Sequence, residues 1–266
     1  MSGLNVVDRP GRSPCLSLVV LGAVLAFALA SQPVIAGVIM IGEGSSVSTG
    51  AGQIELGCGD AEIAGGLAGS LVGARNLYFA PGAATAGASL SLSGDWVNNG
   101  PRGLDAIVDW SDGCGVIESS MLGSSDLTAL NITSSSGREI RFDANGEQHV
   151  GSNLRLMGAA DQRLRLRSTA SGQFANVSLD FGASQLIDWV DVADIDSSAG
   201  REIAPGMPAD YNSLRSGPVR NWFEMPAVPV STLGTVSTLL LILLMGLLGL
   251  FRQRPSSLKN QGVTPR

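Results

Sequence analysis

Lysine and histidine are almost missing from this 266-residue chain, which holds one of each, Lys259 and His149. Aromatic residues make up only 5% of it, and there are three cysteines. Each shortage excludes something. With a single histidine there is no multi-histidine zinc site, and any Ser-His-Asp triad has to be built around His149. With so few bulky side chains, a compact globule would lack the groups that dominate core burial. Repetitive β-structure suits this composition better, because its layers stack small and β-branched residues. Helical periodicity is missing from the central region, where short alternating segments are broken by Gly, Asn, Asp and Ser. The glycine-rich stretch from Ala61 to Gly87 has no Lys-Ser/Thr after its glycines and is no phosphate loop.

Charge is unevenly spread. Between Gly37 and Glu224 stand 22 acidic and 11 basic residues, every base an arginine, for a balance of −11. Phosphate recognition needs a cationic face, so an acidic body argues against nucleic acid as a ligand. After Glu224 no acid remains, and Arg252, Arg254, Lys259 and Arg266 make the tail basic.

The two ends read as membrane-directed. Met1 to Cys15 carries Arg9 and Arg12, and Leu16 to Ala30 is a continuous apolar run too short for a comfortable membrane span. Small residues then offer cleavage after Ala28-Leu29-Ala30 or after Val34-Ile35-Ala36. Pro33 favours the second, so residues 1–36 are predicted to be a secretory signal. Cys15 precedes the apolar run and does not fit a lipoprotein cysteine. At the other end, Leu233 to Phe251 is uncharged and long enough to span a bilayer as a helix. Arg252 and Arg254 follow as a cytoplasmic stop, which places the body outside. The predicted organisation is a signal over 1–36, a β-rich extracellular domain over 37–224, a sorting motif with transmembrane helix and basic stop over 225–254, and a short cytoplasmic tail over 255–266.

The segment Val228-Pro229-Val230-Ser231-Thr232-Leu233, followed by the apolar stretch and the arginines Arg252 and Arg254, resembles the IPTL-CTERM and PEP-CTERM sorting tails of bacterial proteins. That resemblance implies recognition and cleavage by an exosortase-type membrane protease. A plain single-pass anchor is the alternative.

In the body, Leu90 to Val97 alternates apolar and polar residues and stops at Asn98-Asn99-Gly100. Leu154-Arg155-Leu156 and Leu164-Arg165-Leu166-Arg167 continue the pattern, with Arg outward if Leu is inward. Val177 to Phe181 and Leu186 to Val192 follow. Short strands at this spacing fit a β-sandwich or a coiled solenoid. The stretch from about Leu90 to Phe223 resembles repeats of bacterial surface and adhesin-like proteins, carried by Leu92-Ser93-Gly94-Asp95-Trp96-Val97-Asn98-Asn99-Gly100, Trp189-Val190-Asp191-Val192 and Asn221-Trp222-Phe223. The resemblance implies an all-β fold, a right-handed parallel β-helix. A solenoid's ends need capping, and the Asn221–Phe223 aromatics are expected to cover the last rung.

After signal removal only Cys58 and Cys114 remain, and in an exported protein they are expected to pair. The closed loop would be worth roughly 4 kcal/mol in the chain-entropy model. His149 lies in Gly146 to Gly151 with no Gly-x-Ser-x-Gly elbow elsewhere, so it reads as a surface or rung-lining histidine. Asp188, Asp191, Asp194 and Asp196 form the densest acidic cluster. They read as solvated strand edges and turns, with calcium binding or paired-carboxylate catalysis as the alternatives. In one continuous strand Asp188 and Asp191 would face opposite ways, while Asp194 and Asp196 would share a face. No catalytic, cofactor or metal residues are assigned. The expected function is a non-enzymatic, exported cell-surface or matrix protein of the bacterial envelope, with a polysaccharide or surface protein as partner. A polysaccharide-active β-helix enzyme is the rival reading.

Overall fold

The computed structural model describes residues 37–223 and the short helical segment Leu243–Met245. The signal over 1–36, the sorting motif Val228–Leu233 and the stop residues Arg252 and Arg254 lie outside the described residues. No helix among the described residues is long and apolar enough to cross a membrane.

Residues 37–223 coil as stacked rungs, each laying one strand in each of two sheets. The first rungs are β1 (Ile39–Ile41) with β2 (Ser46–Glu55), β3 (Ala61–Ile63) with β4 (Gly66–Ala74), and β5 (Leu77–Phe79) with β6 (Ala84–Leu92). The middle rungs are β7 (Trp96–Asn98) with β8 (Asp105–Ser111), β9 (Glu118–Gly123) with β10 (Ser125–Thr133), and β11 (Glu139–Phe142) with β12 (Glu147–Met157). Next comes β13 (Leu164–Ser168) with β14 (Ala175–Leu179) and β15 (Ser184–Asp188). The last rungs are β16 (Val190–Val192) with β17 (Ile195–Asp196), and β18 (Leu214–Arg215) with β19 (Val219–Arg220). The first sheet runs β1-β3-β5-β7-β9-β11-β13-β16-β18, and the second runs β2-β4-β6-β8-β10-β12-β14-β17-β19 with β15 also on β12. Every ladder between these strands is parallel, as a solenoid requires. The antiparallel β-sandwich alternative is excluded by that pairing.

Period-two alternation sends one residue of each pair inward, so inward residues stack in columns. In the first sheet Ala61, Leu77, Trp96, Met121, Phe142 and Ser168 follow one another in register. In the second sheet Ala74, Leu92, Trp110, Ile132, Leu156 and Ile187 do so. All twelve are buried. Large side chains fill the middle of each column, and burial of each large apolar side chain contributes about 1.5–3 kcal/mol. The sparse aromatics serve as fillers: the Phe79 and Trp96 rings lie 4.5 Å apart, and Trp96 Nε1–H donates to Ser125 Oγ at 3.1 Å. Leu154, Leu156, Leu164 and Leu166 point inward and Arg155 and Arg165 outward, as their alternation predicts.

Corners are sharper than the sequence pattern implies. The strand predicted over Leu90–Val97 is two strands, β6 and β7, parted at Ser93–Asp95. The run Leu186–Val192 is likewise split, because Trp189 takes a left-handed φ of 53°. Phe181, expected in a strand, stands in the turn after β14. Gly123 makes the corner between β9 and β10 at φ 80°, where a Cβ would lie 2.0 Å from the carbonyl oxygen of Asn98.

Two devices brace the stack. The Cys58–Cys114 disulfide, with Cα atoms 5.5 Å apart, ties corners 56 residues apart in sequence. The Arg138 side chain, 6.0 Å from the Trp110 ring, enters the interior and is only 1% exposed. Its Nη1 donates to the Ser111 carbonyl at 2.7 Å and its Nη2 to Ser119 Oγ, while burial lowers its pKa to about 10. At the far end Trp222 and Phe223 are buried, with Phe223 6.1 Å from the Tyr211 ring and 6.2 Å from the Trp222 ring.

Gly123→Ala combines a disfavoured φ with a clash against backbone. It is expected to destabilise the fold by at least about 2 kcal/mol, read from guanidinium denaturation. An unchanged midpoint would show that this corner is not built as described.

Candidate functional site

The outer face of the second sheet carries the most organised polar chemistry among the described residues. A column of register breaks divides this face. Residues 49–52 face only Gly69 across the β2–β4 ladder. Thr128 is matched by Gly151 and Ser152, and those two by residues 180–183. Extra residues in a strand bend it and re-aim its side chains. The seam opens a shallow groove lined by Gly103, Leu104, Asp105, Asp126, Leu127, Thr128, Gly151 and Ser152.

On one side of the groove stands a charged cluster. Asp126, His149 and Ser178 are register neighbours on β10, β12 and β14, with Asp126 and His149 half-buried and Ser178 buried. Arg102, in the β7–β8 connection, donates from Nε to Asp126 Oδ1 at 2.6 Å and from Nη1 to Glu147 Oε2 at 2.8 Å. Ser178 Oγ–H donates to Glu147 Oε1 at 3.3 Å, and His149 Nδ1 lies 3.0 Å from that same hydroxyl. The hydrogen bond from Arg102 holds the Glu147 carboxyl below its ordinary range. The half-buried His149 is therefore an outward member of a network. The order of contacts is carboxylate, serine, histidine. A nucleophilic triad needs histidine between serine and carboxylate, so this arrangement orients the hydroxyl without giving it a histidine base held by an acid. Cleaving a glycosidic bond requires one carboxyl kept protonated, whereas Glu147 is kept ionised.

On the other side runs a polar ladder. Asn131 Nδ2 donates to Asp109 Oδ1 at 2.8 Å, Asn153 Nδ2 to Asn131 Oδ1 at 2.9 Å, and Ser184 Oγ to Asn153 Oδ1 at 2.9 Å. Asp109, Asn131, Thr133, Asn153, Arg155 and Leu186 line a second shallow depression.

The four clustered aspartates are not brought together. Asp188 and Asp191 lie on different sheets, and Asp194 occupies a corner at φ 59°, so the strand alternation that would pair it with Asp196 does not run through it. Asp188 accepts from Asn212 at 2.9 Å, Asp191 from Arg167 at 2.6 Å, Asp194 from the Gly172 N–H at 3.1 Å, and Asp196 from Arg220 at 3.1 Å. Each is engaged in a local structural contact. Among the described residues no group of three or more His, Cys, Asp or Glu is gathered for a metal ion.

The outer-face ladder and the Arg102 clamp escaped sequence reasoning. The one available signal was the placement of Asp109, Asn131 and Asn153 at successive 22-residue intervals. Taken together, fold and site define a parallel β-solenoid with an ordered polar face. The chain matches no protein-family profile, no curated protein and no solved structure at a significant level.

Glu147→Gln tests the clamp. A carboxyl whose folded pKa is lowered contributes stability above its ordinary value of 4.5 and loses it as pH falls through the lower folded value. The wild type is expected to exceed Glu147→Gln by up to about 1 kcal/mol at pH 7, given the partly exposed pair. That gap is expected to close below pH 4.5, as followed by thermal melts across pH. A gap independent of pH would contradict the clamp.

Proposed function

We propose that this protein is exported and displayed at the bacterial envelope as a non-enzymatic β-solenoid serving adhesion or envelope structure. In this reading residues 1–36 direct secretion, and the body coils in the right-handed sense general to parallel crossovers. Val228–Leu233 with the following apolar segment and Arg252 and Arg254 form a sorting tail for an exosortase-type protease. Its partners are a polysaccharide or a surface protein. The observation that carries the proposal is the outer face itself, where hydrogen-bonded polar side chains run from rung to rung, with the groove carboxylate Asp126 and the neighbouring Glu147 both ion-paired to Arg102. Such a face is built to be touched. The rival reading, a polysaccharide-active enzyme, draws on the groove between Asp105 and Asp126, but the Arg102 clamp weakens it.

Mass spectrometry of envelope and medium fractions from the native host tests the proposal. The expected mature chain begins at Gly37 and ends near Val228. An intact tail through Arg266 would replace sorting by simple anchoring, and a cytoplasmic chain retaining Met1 would overturn export.

A further inference from the structure

We infer that the outer face of the second sheet, from β8 to β15, binds an extended neutral polysaccharide. The inference rests on the display reading above and gives it a ligand class. Three features of the face point there.

The first is preorganised hydrogen bonding. A primary amide has two N–H groups and two acceptor positions. Asn131 and Asn153 each spend one N–H on the ladder, and Asp109 uses one oxygen, so a second amide N–H per rung and a second carboxylate oxygen remain for a ligand. Because the ladder fixes these side chains, little rotamer freedom is lost on binding. Sugar hydroxyls donate and accept on neighbouring carbons, which matches a row of mixed donors and acceptors. Rungs stack about 4.8 Å apart, close to the length of one unit in an extended glycan.

The second is an aromatic platform beside that row. Four residues, 180–183, span what Gly151 and Ser152 span in the rung before, so their turn is pushed off the sheet. It carries Phe181, 79% exposed, three residues before the ladder member Ser184. On the same sheet Leu186 is also exposed, within the depression formed by Asp109, Asn131, Asn153 and Arg155. An aromatic face offers the C–H surface of a pyranose a large, rigid contact.

The third is shape and charge. The depression is shallow and open, suited to a chain passing along the rungs rather than to an enclosed small molecule. The body's balance of −11 repels polyanions, leaving neutral glycans.

Affinity electrophoresis of the full-length chain in detergent, through gels containing mixed-linkage β-glucan, galactomannan, dextran or alginate, tests this. Retardation is expected in at least one neutral gel. It should weaken at least tenfold in Phe181→Ala and in Asn131→Leu/Asn153→Leu. Phe181→Ala should leave the melting temperature unchanged, so its loss of binding cannot be unfolding. No retardation, retardation only in alginate, or neutral binding unaltered in both variants would overturn the inference. Protease shaving of intact native cells separates this from the display reading: a chain that is shaved yet binds none of the neutral gels refutes the glycan site and leaves display standing, whereas an unshaved chain counts against display whatever the gels show.

Discussion

Each rung satisfies its backbone N–H and C=O groups through the rungs before and after it, and the rest of the molecule depends on that parallel register. A one-residue slip would turn a whole column over, sending Trp110 and Ile132 outward and Asp109 and Asn131 into the interior. Burying those polar groups without partners would cost several kcal/mol. The inner columns therefore enforce register, and register places the outer ladder. Core and candidate site are two faces of one constraint.

The same logic explains how an aromatic-poor chain stays folded. A globule must fill a three-dimensional interior, whereas a solenoid fills narrow columns that small and branched residues suit. Trp96 and Trp110 are buried within the columns, and Tyr211, Trp222 and Phe223 pack on one another at the far end. Arg138 ties β8 to β9 through Ser111 and Ser119, and the Cys58–Cys114 disulfide ties two corners of the coil.

Much of this architecture was legible in the sequence. The alternation in Leu154–Leu156 and Leu164–Arg167 gave strand faces correctly, and the scarcity of bulky residues pointed to stacking. The corners were harder to read. Trp189 and Asp194 adopt left-handed conformations without being glycine, so nothing local marked the breaks that scatter the aspartates. The site was harder still, because pairings such as Asn131 with Asp109 join residues 22 apart and emerge only once rung length is known. Rung length varies: Leu77 pairs with Trp96, but Trp96 pairs with Met121, so no fixed repeat exposes the register. The burial of Arg138 follows from a corner geometry that an isolated arginine does not announce.

Paired cysteines placed across the ladder test that register most directly. Asp109 and Asn131 are Cα partners on β8 and β10, whereas Ile132 points into the core. Parallel neighbours at sheet spacing fall within the range a disulfide can bridge. With the native disulfide intact, Asp109→Cys with Asn131→Cys is expected to cross-link on mild oxidation, and Asp109→Cys with Ile132→Cys is not. Cross-linking of the second pair but not the first would contradict the register, and with it both the core columns and the outer face built on them.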